Sequence, residues 1–218
     1  MKTVMLMIRG VGLWLVLCAL AVPFSANARG NRAITFMQKG GWVTAIWYQN
    51  DGGCLYLVGS ISSFENTTRM FGYVNPYAVS YVSVEVYDIC TQAFSRYSAV
   101  DSVELTLGAA GALHARVSGV VPANVCTTVP NRPIDCRDAQ LAVDLRWDAY
   151  GDPVRMIDGS HDYENGIGMF SFQFTGSFAR AEVTGHVMDG DIPLFLAPVR
   201  SGEIRDSRSN SVTIYPNN

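Results

Sequence analysis

Apolar and polar residues alternate along most of the chain after residue 28. In Val79–Cys90, the side chains of Val82, Val84 and Val86 share one face, and tyrosines and other polar residues share the opposite face. The stretch Leu141–Trp147 repeats this arrangement. A period of two is typical of strands that bury one face, and no stretch after residue 28 keeps the 3.6-residue period of a helix. The pattern therefore predicts an all-β fold.

The number of these stretches, and the turn residues between them, predict the architecture. Roughly ten short strands separated by Gly, Asn, Asp and Pro are typical of an antiparallel β-sandwich, and a β-barrel is the alternative. The stretches His114–Val120 and Arg180–His186 are similar, which predicts two related halves. We therefore expect a single β domain over residues 29–218, with halves 41–121 and 139–216 joined through the segment 126–136.

Three polar stretches interrupt the alternation and are expected to be loops. They are residues 65–77, 158–164 and 200–210. Each contains residue types that favour turns or a solvated backbone over a buried strand face. The last of them lies within the C-terminal tail, residues 194–218, whose order the pattern leaves open.

The first 28 residues have the layout of a cleaved secretory signal. Lys2 and Arg9 precede an uncharged apolar run, Val11–Val22. Small residues follow at positions 26 and 28. This run is shorter than the roughly 20 apolar residues of a transmembrane helix. We therefore expect cleavage after residue 28 and no membrane span in the mature chain. The expected location is extracellular, or periplasmic in a two-membrane bacterium.

The charge of the chain argues against one class of partner. The sequence has 16 basic and 19 acidic residues, and removal of Lys2 and Arg9 leaves 14 basic residues and a net charge of −5. Nucleic-acid binding needs a basic stripe or patch, so no nucleic-acid partner is expected. Turns such as Asp189–Asp191 bring two carboxylates together but match no calcium-loop pattern. We predict neither a metal nor a cofactor.

The cysteines after the signal predict two disulfides. They are Cys54, Cys90, Cys126 and Cys136. An even number of cysteines in an exported chain is typical of a disulfide framework. If Phe64 faces Ser80 in an antiparallel hairpin, then Cys54 faces Cys90 at a distance suited to a disulfide. This register predicts the pair Cys54–Cys90 and, by elimination, Cys126–Cys136.

Three segments resemble a set of uncharacterised secreted bacterial β-rich proteins of unknown function. The segments are Tyr87-Asp88-Ile89-Cys90, Val143-Asp144-Leu145-Arg146-Trp147 and Ala181-Glu182-Val183-Thr184-Gly185. Those proteins carry a Tyr-Asp-x-Cys strand end, a Val-Asp-Leu-x-Trp strand and a late Ala-Glu-x-x-Gly strand. The resemblance covers about half of the mature chain and implies export and a β fold. It implies no activity.

One polar stretch holds the candidate catalytic residues. His161 lies beside Asp162 and Glu164, and a histidine next to carboxylates can act as a general base. A catalytic site also needs partners from elsewhere in the fold. The chain has no GxSxG, HExxH, Walker or GxGxxG motif. The alternative interpretation of these residues is a solvated polar loop.

Two further features are candidate binding sites. Tyr81 and Tyr87 flank Glu85 on one strand face, where aromatic rings could stack on a sugar or could instead be covered by packing. Arg132 lies in the proline-containing loop that Cys126–Cys136 would close, and a pre-ordered loop loses less entropy on binding. The alternative for this loop is a stapled connection between the halves.

The sequence therefore leaves three functions open. The first is a secreted non-enzymatic binding or surface-interaction module with a protein or glycan partner at the cell surface. The second is a hydrolase that acts on an extracellular polymer, based on His161 and the scattered carboxylates. The third is a structural, envelope-associated protein. The absence of catalytic motifs favours the first.

Overall fold

A computed structural model describes residues 34–70, 73–101, 104–107, 113–165 and 168–216. The predicted signal peptide lies outside these residues. The described residues form β1 (Ile34–Asn50), β2 (Leu55–Met70), β3 (Tyr73–Asp88), β4 (Ala93–Asp101), β5 (Glu104–Leu107), β6 (His114–Thr128), β7 (Asp135–Ala149), β8 (Val154–Asn165), β9 (Gly168–Asp189), β10 (Ile192–Pro193) and β11 (Val199–Pro216).

All strand pairs are antiparallel, and eight of the strands close into a hydrogen-bonded ring. The order around the ring is β1, β2, β3, β4, β6, β7, β9 and β11, and β11 pairs with β1 again. Strand β5 pairs with β6, and β8 and β10 pair with β9. The prediction of an all-β fold of about ten antiparallel strands is confirmed.

The apolar core lies on the inner face of the ring, which every ring strand helps to form. Each strand alternates inner and outer residues, so that the side chains of one parity are buried together. The prediction that Leu141, Val143, Leu145 and Trp147 point inward is confirmed, since all four are buried. Burial stabilises the fold by about 1.5–3 kcal/mol for each large aliphatic side chain.

Two tryptophans tie opposite parts of the ring together. The indole Nε1 of Trp47 donates a hydrogen bond to the carbonyl oxygen of Leu194 at 3.0 Å, and Phe195 packs edge-on against the Trp47 ring. The Nε1 of Trp147, on β7, donates to the carbonyl oxygen of Thr44, on β1, at 2.8 Å. Because β7 and β1 are not neighbours in the sheet, this bond shows that strands from opposite sides pack through the core.

Two glycines leave the space that these rings fill. A Cβ at Gly59 would lie 2.0 Å from an atom of the Trp47 ring, and a Cβ at Gly202 would lie 2.8 Å from an atom of the Trp147 ring. Both distances are shorter than a Cβ contact allows. A strand glycine often marks close approach of another group, and here the group is a buried indole.

The register predicted for the first disulfide hairpin is wrong by one residue. Phe64 pairs with Val79 rather than with Ser80. A shift of one residue moves every side chain of a strand to the other face. The observed register places Leu57 and Ile61 in the core, where each is at most 2 % exposed. The predicted register would have put their polar or partly exposed neighbours there instead.

Both predicted disulfides are confirmed. Cys54 is bonded to Cys90, and Cys126 to Cys136. The first pair does not depend on the predicted register, because the ladder of β2 and β3 ends at Leu55 and Asp88, just inside the two cysteines. The second pair closes the turn between β6 and β7. Disulfides are typical of proteins outside the cytoplasm.

The three polar stretches expected to be loops lie mostly in strands. Residues 65–70 end β2, residues 73–77 begin β3, residues 158–164 belong to β8, and residues 200–210 belong to β11. Polar composition misled the prediction, because these segments pair their backbones with neighbouring strands. Backbone pairing needs no apolar side chain.

The similar stretches His114–Val120 and Arg180–His186 flank the same strand. The first lies on β6 and the second on β9, and both pair with β7. The first predicted half contributes β1 to β6 and the second contributes β7 to β11. That the halves are related stays a prediction.

Candidate functional site

The outer face of β1, β2 and β3 carries the largest group of exposed aromatic residues in the described part of the chain. Since Trp47, Leu57 and Val84 point into the core, the alternate residues of each strand point outward. We call this surface the tyrosine face. It consists of Trp42, Thr44, Ile46, Tyr48, Asn50, Tyr56, Val58, Ser60, Ser62, Phe64, Asn66, Thr68, Tyr73, Asn75, Tyr77, Val79, Tyr81, Ser83, Glu85 and Tyr87.

Tyrosine is concentrated on this face and charge is depleted. Six of the ten tyrosines in the sequence lie on it, and each of the six is at least 43 % exposed. Among the residues that define the face, only Glu85 is charged, and its carboxylate lies 3.8 Å from the guanidinium of Arg96 on β4. Apart from Ile46, Val58 and Val79, which are aliphatic, its remaining groups are aromatic rings, hydroxyls and amides.

A stacked aromatic cluster lies on the middle part of the face. The Phe64 ring centroid is 5.5 Å from that of Tyr77 and 6.2 Å from that of Tyr81. The Phe64 and Tyr81 rings are inclined by only 27°, so they are nearly parallel. Such pairs stabilise by about 0.5–1.5 kcal/mol beyond area burial, and they also hold the rings in a defined orientation.

The next residues in the same cross-strand row extend this cluster. The guanidinium of Arg205, on β11, lies 4.6 Å from the ring centroid of Trp42 and 5.5 Å from that of Phe178. The Trp42 Nε1 donates a hydrogen bond to the Ser62 hydroxyl at 2.8 Å. Contacts with two rings hold the Arg205 guanidinium in place at the edge of the uncharged surface.

A second aromatic group lies near the Cys54–Cys90 disulfide. Tyr87 is directly opposite Tyr56 on β2 and opposite Phe94 on β4. Tyr81 and Tyr87 are six residues apart on one strand, which is a separation of about 20 Å. The two tyrosines predicted as binding residues therefore share a face but are well separated on it. Their half-exposed rings are not covered by a second layer of the described residues.

The other predicted binding residue lies elsewhere. Arg132 is exposed in the turn between β6 and β7, where its backbone N–H donates to the carbonyl oxygen of Val129 at 3.1 Å. Asn131, beside it, has a φ of 62°, a conformation that asparagine tolerates better than most residues. This turn belongs to the β6–β7 hairpin, whose Thr128 pairs with Phe94 on β4, the strand next to β3.

The candidate catalytic residues lie together on one strand, and their role stays a prediction. His161, Asp162 and Glu164 lie in β8, where pairing with β9 is irregular between Ser160 and Tyr163. Their side chains lie outside the described part of the structure. No arrangement of acid, base and nucleophile is therefore assigned to them.

The other close groups of ionisable residues are structural. Asp189, from one of the predicted acidic turns, is 9 % exposed and accepts a hydrogen bond from Arg137 at 2.5 Å. Burial, and then the neighbouring Asp189 carboxylate, raise the pKa of Tyr97. On the surface, Arg116 donates two hydrogen bonds to Asp144 and lowers the pKa of that carboxyl. These contacts pair charges that neighbouring strands bring together.

One group in the described residues has the composition of a metal site, but its cysteines are oxidised. It comprises Asp88 and the disulfide-bonded Cys54 and Cys90. Asp88 accepts hydrogen bonds from the backbone N–H groups of Cys90 and Thr91, at 2.8 and 3.1 Å. Hydrogen bonds from Thr91 also hold the pKa of Asp88 below its usual value. Thiolates are the ligands that soft metals require, so this group is better described as a capped turn.

Comparisons with protein-family models, with curated proteins and with solved structures gave no match. The resemblance to exported β-rich proteins therefore stays a prediction. In the described residues, no helix is long and apolar enough to cross a membrane.

Sequence reasoning found two of the six tyrosines and missed four. Tyr48, Tyr56, Tyr73 and Tyr77 lie on β1, β2 and the start of β3. The last two fell in a stretch interpreted as a loop. The alternation of β1 and β2 contained part of the signal, since Trp47 and Leu57 in the core imply Tyr48 and Tyr56 outside.

Proposed function

We propose that this protein is a secreted, non-enzymatic binding module that holds a neutral glycan on the tyrosine face. The observation that carries this proposal is the composition of the face, with six exposed tyrosines and a single charged residue. The predicted signal peptide and the two disulfides support secretion.

The chemistry of the face suits a neutral, hydroxyl-rich ligand. Aromatic rings offer flat apolar surfaces on which the C–H faces of sugar rings can stack, and the tyrosine hydroxyl adds a polar contact. Serine, threonine and asparagine side chains donate and accept hydrogen bonds with sugar hydroxyls. Because the only carboxylate, Glu85, is already close to Arg96, binding a neutral ligand leaves no isolated charge to be desolvated.

The geometry suits an extended ligand. Tyr73, Tyr77 and Tyr81 recur every four residues along β3, which spaces them about 13 Å apart. Tyr87 continues the row toward the disulfide. Contacts repeated along one line of the sheet surface fit a chain of similar units better than a single small molecule.

The test is retention of the purified mature protein by insoluble neutral polysaccharides, with cellulose, chitin and starch granules as the probes. We expect at least one of them to retain the protein. Tyr81→Ala should weaken retention about fivefold to tenfold, which corresponds to the loss of one stacking contact. Tyr81→Phe keeps the ring and should bind nearly as well as the original chain. Tyr150→Ala removes an equally exposed tyrosine outside the face and is the matched control.

Four results would overturn the proposal. The first is that no polysaccharide retains a protein whose circular dichroism shows it to be folded. The second is that Tyr150→Ala reduces retention as much as Tyr81→Ala. The third is that Tyr81→Ala dissociates a dimer in analytical ultracentrifugation, which would make the face an interface between copies. A protein partner that is lost with Tyr81→Ala, without any polysaccharide binding, would assign the face to protein recognition instead.

A further inference from the structure

Arg205 and Glu203 form an ion pair on the outer face of β11, at the edge of the tyrosine face. The Arg205 Nη2 donates a hydrogen bond to the Glu203 Oε2 at 3.4 Å, and the two side chains are 32 % and 40 % exposed. This single long bond uses one of the five N–H donors of the guanidinium and one of the two carboxylate oxygens. The pair therefore has donors and acceptors left for a ligand.

Aromatic rings hold the guanidinium of this pair in place. It lies 4.6 Å from the ring centroid of Trp42 on β1 and 5.5 Å from that of Phe178 on β9. The Arg205 Nε is buried and has no hydrogen-bond partner among the described residues, so ring contacts do most of the positioning. Both rings are only partly buried. A ligand at this point meets a fixed cation, a carboxylate and apolar ring surface together.

Strand pairing makes this group continuous with the tyrosine face. The cross-strand row that contains Glu203 crosses β1 at Thr44 and reaches β3 at Tyr81. Three strand spacings separate Glu203 from Tyr81, which is about 14 Å. An insoluble polysaccharide presents many chains side by side, so stacking on Tyr81 and contact with the ion pair can occur at the same time.

Resting on the glycan-binding function proposed above, we infer that the Arg205–Glu203 pair selects glycans built from N-acetylated amino sugars. An acetamido group has an acceptor and a donor at opposite edges of one plane. Its carbonyl oxygen would accept a hydrogen bond from the Arg205 guanidinium, and its N–H would donate to the Glu203 carboxylate. Its methyl group would contact the exposed parts of the Trp42 and Phe178 rings.

The same groups disfavour the other common sugar substituents. A hydroxyl offers its donor and its acceptor on one atom and has no methyl group for the rings. An amine lacks the carbonyl oxygen, and its protonated form would be repelled by Arg205 and by Arg180, which is opposite Glu203 on β9. A carboxylate gives Glu203 no donor and brings a like charge beside it. Only the neutral amide satisfies both members of the pair.

The experiment compares retention of the mature protein by chitin, chitosan and cellulose. These polymers share one backbone and carry an acetamido group, an amine or a hydroxyl at the same ring carbon. We expect chitin to bind at least about tenfold more tightly than either of the others, because two charge-assisted hydrogen bonds depend on the acetamido group. Arg205→Met and Glu203→Met should each remove most of this preference, while retention by cellulose should change little.

A second ion pair supplies the matched control. Arg200 on β11 pairs with Glu182 on β9 at 3.1 Å, outside the tyrosine face. Arg200→Met and Glu182→Met should leave the ratio of chitin to cellulose retention unchanged. Tyr81→Ala should weaken retention by both polymers by a similar factor, because stacking does not depend on the acetamido group. Near-ultraviolet circular dichroism checks that each variant is folded.

Several outcomes would overturn the inference. Retention by cellulose that equals or exceeds retention by chitin would overturn it and leave the proposed glycan-binding function intact, whereas retention by no polysaccharide would overturn both. A preference for chitin that survives both Arg205→Met and Glu203→Met would assign the selection to other residues. Stronger retention by polygalacturonate than by chitin would assign Arg205 to a carboxylate ligand instead.

Discussion

Replacing Gly59 with alanine should destabilise the protein because Gly59 lies against the buried ring of Trp47. A Cβ at this position would lie 2.0 Å from Cε2, 2.1 Å from Cζ2 and 2.4 Å from Nε1 of the indole. The ring cannot simply move away, since its other side packs on Phe195 and its Nε1 donates to the Leu194 carbonyl oxygen. Either the strand or the indole must shift.

The size of the effect follows from these contacts. Forcing one extra carbon into a packed core costs about 1–3 kcal/mol. If the indole moves enough to lose its buried hydrogen bond, a further cost of about 1–3 kcal/mol follows. A loss of about 3 kcal/mol lowers the melting temperature of a protein of this length by about 6–12 °C.

The assay is thermal and urea unfolding of Gly59→Ala beside Gly53→Ala. Gly53 lies in the exposed turn after β1, and a Cβ there would meet nothing closer than the Asp51 carboxylate at 3.4 Å. The control should therefore change stability by less than about 1 kcal/mol, with part of any gain coming from a stiffer unfolded chain. Trp47→Leu removes the ring that carries the clashing atoms, so in that background the cost of Gly59→Ala should fall by about 1 kcal/mol or more.

The packing argument would be refuted by equal unfolding midpoints for Gly59→Ala and Gly53→Ala. It would also be refuted if the cost of Gly59→Ala were the same with tryptophan or leucine at position 47. Either result would mean that the ring does not occupy the space above Gly59.

Three further predictions concern the disulfides and the pH dependence of stability. Replacing both cysteines of Cys54–Cys90 by alanine should lower the free energy of unfolding by about 4 kcal/mol, and the same change at Cys126–Cys136 by about 3 kcal/mol. The difference follows because the bridges span 36 and 10 residues of sequence, and a longer closed loop restricts the unfolded chain more. Urea unfolding of the two double variants measures both losses, and a larger loss from the shorter loop would contradict the prediction. Burial raises the pKa of Tyr97, so the folded state keeps a proton that the unfolded state loses above pH 10.0; stability should fall in that alkaline range and fall less in Tyr97→Phe, as unfolding at a series of pH values will show. Arg116 lowers the pKa of Asp144 below 3.8, so its contribution is present above that value and lost as the pH falls below it; Asp144→Asn should flatten the acid side of the stability curve, and an unchanged acid limb would exclude this contribution.

Much of the fold follows from local patterns that tertiary structure did not alter. Leu141, Leu145 and Trp147 alternate with polar residues on a strand that buries one face, and the observed burial follows that alternation. The pair Cys54–Cys90 was predicted from a hairpin whose register is wrong by one residue, and Cys126–Cys136 followed by elimination; both pairs are observed. These inferences hold because a period of two and a short loop constrain the chain through neighbouring residues alone.

Other features depend on which strands become neighbours. A shift of one residue between β2 and β3 costs nothing in local propensity, and the choice is made by burying Leu57 and Ile61 against the rest of the core. The polar residues of β11 form a strand because β1 and β9 offer backbone partners on both sides. Composition cannot reveal a partner that is distant in sequence.

The sequence and the tertiary structure also contributed different parts of what is known of the candidate sites. The sequence alone determined a secretory layout, a β fold, the cysteine pairs, and the outward direction of Tyr81 and Tyr87. Only the tertiary structure gathered tyrosines from three strands into one uncharged face, and only strand pairing placed Arg205 of β11 beside Trp42 of β1 and Phe178 of β9. Residues separated by more than a hundred positions become neighbours through strand pairing, and that pairing is set by the free energy of closing the whole core.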